Sequence, residues 1–130
     1  MVGVFTQPPE STQDALSISL MQAIIKRLTD KGAMDTVVID LAGKSDIADV
    51  MIVTSGTSSR HIQTLADQAE EACREHGITT TEVEGRDGSD WIVVDTPYVM
   101  VHVFHPEARE RYQIEKMWQA DFSDLEMQEA

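Results

Sequence analysis

Val50-Met51-Ile52-Val53-Thr54-Ser55-Gly56-Thr57-Ser58-Ser59-Arg60-His61 is the stretch that decides the fold. Val50 to Thr54 reads as a buried strand. Ser55-Gly56-Thr57 is a turn of small residues, and a helix starts at once, with Ile62, Leu65, Ala66, Ala69 and Cys73 at helical spacing. A strand, a tight turn and a helix N-terminus aim backbone N–H groups and a partial positive charge at whatever sits above the turn. Gly56 would let backbone approach a phosphate, the hydroxyls of Ser58 or Ser59 would assist, and Arg60 would add charge. The simpler reading makes Ser58 or Thr57 the N-cap of the helix. A Walker loop needs a following Gly-Lys-Ser/Thr, which is absent. A nucleotidyltransferase would set such a turn beside paired carboxylates that hold magnesium. The nearby pair at same-face strand spacing is Glu82 and Glu84, which also fits a solvated surface.

Outward from that stretch, the chain reads as α/β. Residues 1–11, with Pro8-Pro9, form a flexible leader, residues 12–118 a single domain, and residues 119–130 an acidic tail. A first helix is expected from about Thr12 to Asp30, because Leu16, Leu20, Ile24 and Leu28 make one apolar stripe. Thr36 to Leu41 is a first strand and Val50 to Thr54 a second. The second helix spans roughly Ser58 to His76. Thr80 to Glu84, Trp91 to Asp95 and Val99 to Phe104 follow as strands, the last two forming a hairpin around Thr96-Pro97-Tyr98. A final helix opens at Pro106, a favoured first position, and runs to about Trp118. That order predicts a mixed five-stranded sheet flanked by helices.

At 130 residues one domain can bury a core without disulfides or metal. Ten basic against 23 acidic side chains leave a formal net charge of −13. Binding DNA or RNA requires cations that displace counterions from phosphate, so the balance disfavours nucleic acid and suits a basic protein partner. Cys73 is the one cysteine and falls on the apolar side of a helix, which predicts a buried, inert thiol and is compatible with a reducing cytoplasm. No apolar run approaches the roughly 20 residues of a membrane span, and Met1 to Phe5 lacks the basic start of a secretory signal. A soluble cytoplasmic protein is the expectation.

His61 and His76 lie about four turns apart on one helix, while His102 and His105 near the end of one strand face opposite ways. None pairs at metal-ligand spacing, and neither a CxxC nor an HExxH motif occurs. No metal, cofactor or catalytic residue is therefore expected, and His102, between Val101 and Val103, reads as a satisfied strand histidine. The aromatic residues say more. Trp91 and Tyr98 flank the hairpin, and Tyr112 and Trp118 sit on the final helix, where Tyr112, Glu115, Lys116 and Gln119 would share an outer face and Ala108, Ile114 and Met117 would add apolar contacts. Trp and Tyr dominate protein interfaces, although each could equally fill core.

Several segments resemble the ribosomal silencing factor, or Iojap-like, family. They are Ser45-Asp46-Ile47-Ala48-Asp49, Gly56 to His61, Val83-Glu84-Gly85, Asp90 to Asp95, Val101-His102-Val103-Phe104, Glu107-Ala108-Arg109, Tyr112 and Ile114 to Trp118. The resemblance implies a nucleotidyltransferase-like fold and a translation regulator rather than an enzyme. Such a protein would bind the large ribosomal subunit through ribosomal protein fourteen, a basic protein, and sterically block subunit joining when nutrients are scarce. It implies partner contacts at Trp91, Asp95, Tyr112, Lys116 and Trp118, with His102 nearby. A homodimer in the free state is compatible with it. The acidic extension after Trp118 departs from the family pattern. The competing reading, from the residues themselves, is a nucleotide-binding or nucleotidyl-transferring enzyme built on the Gly56 turn with Glu82 and Glu84.

Overall fold

A computed structural model describes residues 15–41, 48–86 and 90–114. The leader at 1–11, the tail at 119–130, Lys116 and Trp118 lie outside them. The described elements are α1 (Ala15–Asp30), β1 (Met34–Asp40), β2 (Val50–Ser55), α2 (Ser59–Glu75), β3 (Glu82–Glu84), β4 (Trp91–Asp95), β5 (Val99–Phe104) and α3 (Pro106–Tyr112). The strands form one sheet in the order β1-β2-β5-β4-β3. β2 and β5 run parallel, and the other neighbours pair antiparallel, so the sheet is mixed as expected. β2 and β5 are central, which explains why the apolar run Val50–Val53 is buried at every position rather than at alternate ones.

Each face of the sheet carries its own core. Leu20, Ile24 and Leu28 of α1 and Ile62, Leu65, Ala66, Ala69 and Cys73 of α2 pack on Val38, Ile52, Ile92, Val94, Val101 and Val103. The two helical stripes read from the sequence are thus the inner faces of α1 and α2, and Cys73 is a buried free thiol whose pKa burial pushes up. Arg27 ties the helices together through Gln68 (2.8 Å) and Glu75. On the opposite face Ile39, Met51, Val53 and Phe104 pack with Ala108 of α3, and Trp91, Met100 and Ile114 border them. Among the described residues no helix is long and apolar enough to cross a membrane.

Several bounds differ from expectation for local reasons. β1 begins two residues earlier, at Met34, because a bulge at Asp35 (φ 52°) lets it pair with Ser55 before the regular register resumes at Val37. β3 is three residues long, without Thr80 and Thr81. α3 does not run on as one helix to Trp118. Gln113 takes a left-handed conformation (φ 51°), its N–H closing on Arg109 O at 2.8 Å, and Ile114 then turns onto the second core. Of the expected shared face of Tyr112, Glu115, Lys116 and Gln119, Tyr112 alone lies within the described residues.

The β4–β5 hairpin decides which side chains meet. The buried Thr96 hydroxyl accepts from Tyr98 N (3.1 Å) and Val99 N (2.9 Å) and donates to Val99 O (2.8 Å). That closure sets Trp91 opposite Phe104 and Val93 opposite His102. Beyond the other end of β4, Gly85 (φ +94°) leaves no room for a Cβ against Trp91 O. Thr96→Val keeps the shape but leaves two N–H groups without their acceptor, and is expected to lower stability by about 2 kcal/mol. Urea denaturation measures this; an unchanged midpoint would show that the hydroxyl does not hold the turn.

Candidate functional site

The Gly56 turn is closed on itself. Gly56 N donates to Phe104 O (2.9 Å) and Thr57 N to His61 Nδ1 (2.9 Å), while His61 N donates to the hydroxyl of Ser58 (3.1 Å). Ser58 is the N-cap of α2, so the simpler reading of the turn holds. His61 Nε2 donates to Lys31 O at 2.8 Å, so the ring clamps this turn to the one after α1. A Cβ on Gly56 would meet Ile62 and His61 at 3.1–3.2 Å, so the glycine serves close approach of its own helix rather than of a phosphate.

Glu82 and Glu84 do not join that turn. They are exposed on β3, the edge strand, three strand positions from β2, which is about 14 Å across the sheet. Glu82 faces Asp95 across the β3–β4 pair. Burial, then the neighbouring carboxylates of Glu82 and Glu84, hold the Asp95 carboxyl above its ordinary range. A cleft of about 310 Å³ opens between Thr80, Glu82, Asp95, Thr96 and Pro97. Its carboxylates would repel a nucleotide phosphate. Among the described residues no group of three or more His, Cys, Asp or Glu side chains could hold a metal ion.

The second sheet face gathers aromatic rings from three elements. Trp91 stacks on Phe104 (centroids 4.9 Å, 25°) and tilts against Tyr112 at 4.8 Å. His102 lies nearly parallel to Phe104 at 6.0 Å, and its Nδ1 accepts the indole N–H of Trp91 at 2.9 Å. α3 is fastened over them by Arg109, which donates to Ser55 Oγ (3.0 Å), and by His105 N, which donates to Asp90 O (2.8 Å). Tyr112, 52% exposed, is the one large hydrophobic residue left at the surface among those described. Arg111 lies 5.4 Å from its ring centroid. The cross-strand pairs put Asp95, Glu82 and Glu84 on this same face, so a half-buried aromatic cluster has an acidic margin.

Trp91, Asp95, His102 and Tyr112 therefore share one face. Tyr98 does not; it packs against the α1–α2 core on the other. Ala108, expected as a contact, is buried in its own second core. His105 is not a strand residue but the N-cap of α3. His102 is satisfied at one nitrogen only. An indole N–H can only donate, so Nδ1 carries the lone pair and Nε2 the proton. Nε2 is buried without a partner, an orphan donor that costs about 1–3 kcal/mol.

Comparison with known proteins identifies the family. The family described as "Ribosomal silencing factor during starvation" matches residues 13–130, which takes in the acidic residues after Trp118. This chain belongs to the ribosomal silencing factor family. It is 40% identical over 101 residues to the Ribosomal silencing factor RsfS of Haemophilus influenzae, covering 78% of this chain and 99% of that one. It is 34% identical to the Bacillus subtilis protein of the same name, over 83% of this chain and 92% of that one. A crystal structure of a Chromobacterium violaceum protein superposes with a TM-score of 0.74 at 30% identity, covering 77% of this chain and 83% of that one.

For this silencing-factor domain, the Trp91–His102 bond is what residue-by-residue reading missed. The available signal was the alternation Met100, His102, Phe104 in β5 combined with the hairpin length. Burial lowers the His102 pKa to about 4 from 6.5, so the unfolded chain binds a proton that the native one refuses. The neutral form's contribution is complete above pH 6.5 and falls away as pH drops toward 4. Between pH 7 and pH 5 wild type should lose about 2 kcal/mol more than His102→Asn does. Chemical denaturation across that range measures the difference, and parallel pH profiles would refute the assignment.

Proposed function

We propose that this chain represses translation by occupying the large ribosomal subunit through its aromatic sheet face, with the basic ribosomal protein fourteen as partner, so that the small subunit cannot join. The observation that carries this reading is an exposed Tyr112 leaning on a half-buried Trp91, on the sheet face that also carries Asp95, Glu82 and Glu84. Large aromatic side chains bury much area at low entropic cost, and an acidic margin favours a basic partner over bare RNA. Lys116 and Trp118 belong to the same proposed contact set. The work is steric and requires no reacting group. A factor at 100 times its Kd imposes about 2.7 kcal/mol on a mutually exclusive partner. Kinship with nucleotidyltransferases would account for a strand-turn-helix of nucleotide-site type in which the Gly56, Thr57 and His61 amides are used internally. The domain would act in the cytoplasm as residues 12–118, and a free homodimer would hide the same face.

Tyr112→Ala, at an exposed position, is expected to weaken binding to purified large subunits by about 2 kcal/mol, and Trp91→Ala by at least as much. Co-sedimentation followed by crosslink mapping of the neighbouring protein provides the measurement. Wild-type affinity in a folded double variant would remove this face from the mechanism. Raising salt should slow association, because exposed charges are screened within a Debye length. A salt-independent on-rate would exclude electrostatic steering.

A further inference from the structure

His102 is an expensive residue for its location. It is 4% exposed, on a central strand, and leaves Nε2 without a partner. An apolar side chain of similar size would fill the same space beside Phe104 and Val53 without an orphan donor. Stability therefore does not account for a histidine there. What it supplies that leucine or phenylalanine could not is an acceptor at Nδ1, 2.9 Å from Trp91 Nε1. Trp91 needs one, because its ring lies at the margin of the core with Phe104 on one side and Tyr112 on another. Stacking restrains the tilt of an indole but not its rotation within the stack, whereas a directed N–H bond fixes which edge faces solvent. The diagonal placement across the β4–β5 pair, with His102 opposite Val93 and Trp91 opposite Phe104, brings the two rings within reach.

We infer that His102 is a positioning residue of the docking face, holding the Trp91 indole in one orientation so that Trp91 and Tyr112 present a preformed aromatic surface to the partner. This rests on the docking reading above and changes the part His102 plays in it. Buried as it is, His102 acts through Trp91 rather than by touching the partner itself. A surface ordered before binding loses less freedom on association.

The test compares His102→Leu with His102→Asn in the full chain. Asparagine places its amide oxygen at the same bond separation from Cβ as Nδ1, so it keeps the acceptor; leucine does not. With ¹⁵N labelling, the Trp91 indole N–H signal, identified by its loss in Trp91→Phe, should keep its shift and slow exchange in His102→Asn. In His102→Leu it should exchange at least about ten-fold faster. Affinity for large subunits should fall about ten-fold in His102→Leu and stay near wild type in His102→Asn. In a Trp91→Phe background, which has no donor to hold, His102→Leu should add no further loss, and that coupling is readable even where one single variant folds poorly. Wild-type affinity in His102→Leu, with Trp91→Ala still weakened, would overturn the positioning role and leave the docking face intact. Unchanged affinity in both would overturn the docking reading and this role together.

Discussion

The register of the β4–β5 hairpin is the constraint on which the rest of this molecule depends. Strand side chains alternate between faces, so a slip of one residue would exchange the two cores. In the observed register Ile92, Val94, Val101 and Val103 point to α1 and α2, whereas Trp91, His102 and Phe104 point to the opposite face. The Thr96 hydroxyl holds that register with three hydrogen bonds inside a turn of two residues. Parallel pairing of β5 with β2 transmits it to the centre of the sheet, where Val53 lies opposite His102 and Ser55 opposite Phe104. The Arg109–Ser55 bond that seats α3 depends on the same alignment.

The two faces then differ in closure. The α1–α2 face is closed: its apolar stripes are buried and its helices are cross-linked by Arg27. Among the described residues the α3 face is only partly closed, since α3 is short and is capped at Gln113. The rings lie at the border of this core among the described residues, with Tyr112 outermost. Carboxylates from β3 and the end of β4 lie to one side of this border, and the formal net charge of the chain is −13. A partner suited to it would be basic and would carry apolar surface of its own.

The Gly56 turn illustrates how a motif can be locally correct and chemically closed. Strand, small-residue turn and helix N-terminus all occur where the sequence puts them. Three of its amides are nevertheless engaged within the protein: the Ser58 hydroxyl accepts from His61 N, His61 Nδ1 from Thr57 N, and Phe104 O from Gly56 N. The carboxylates that would have completed a catalytic pair sit on the far edge strand. Strand order, not strand sequence, separates the two halves.

Sequence by itself determined the elements, the α1 and α2 stripes, the hairpin and the family, because periodicity and turn chemistry are local and the motifs are colinear with the chain. It also named Trp91, Asp95, His102 and Tyr112 as candidate contacts. Tertiary structure decided that these four share a face while Tyr98 and Ala108 do not join them, that α3 breaks at Gln113, and that His102 is bonded at one nitrogen and orphaned at the other. The reason is physical: a hydrogen bond between residues 91 and 102 exists only once two strands have paired in a particular register, and no window along the chain contains both that pairing and the ring packing that buries it.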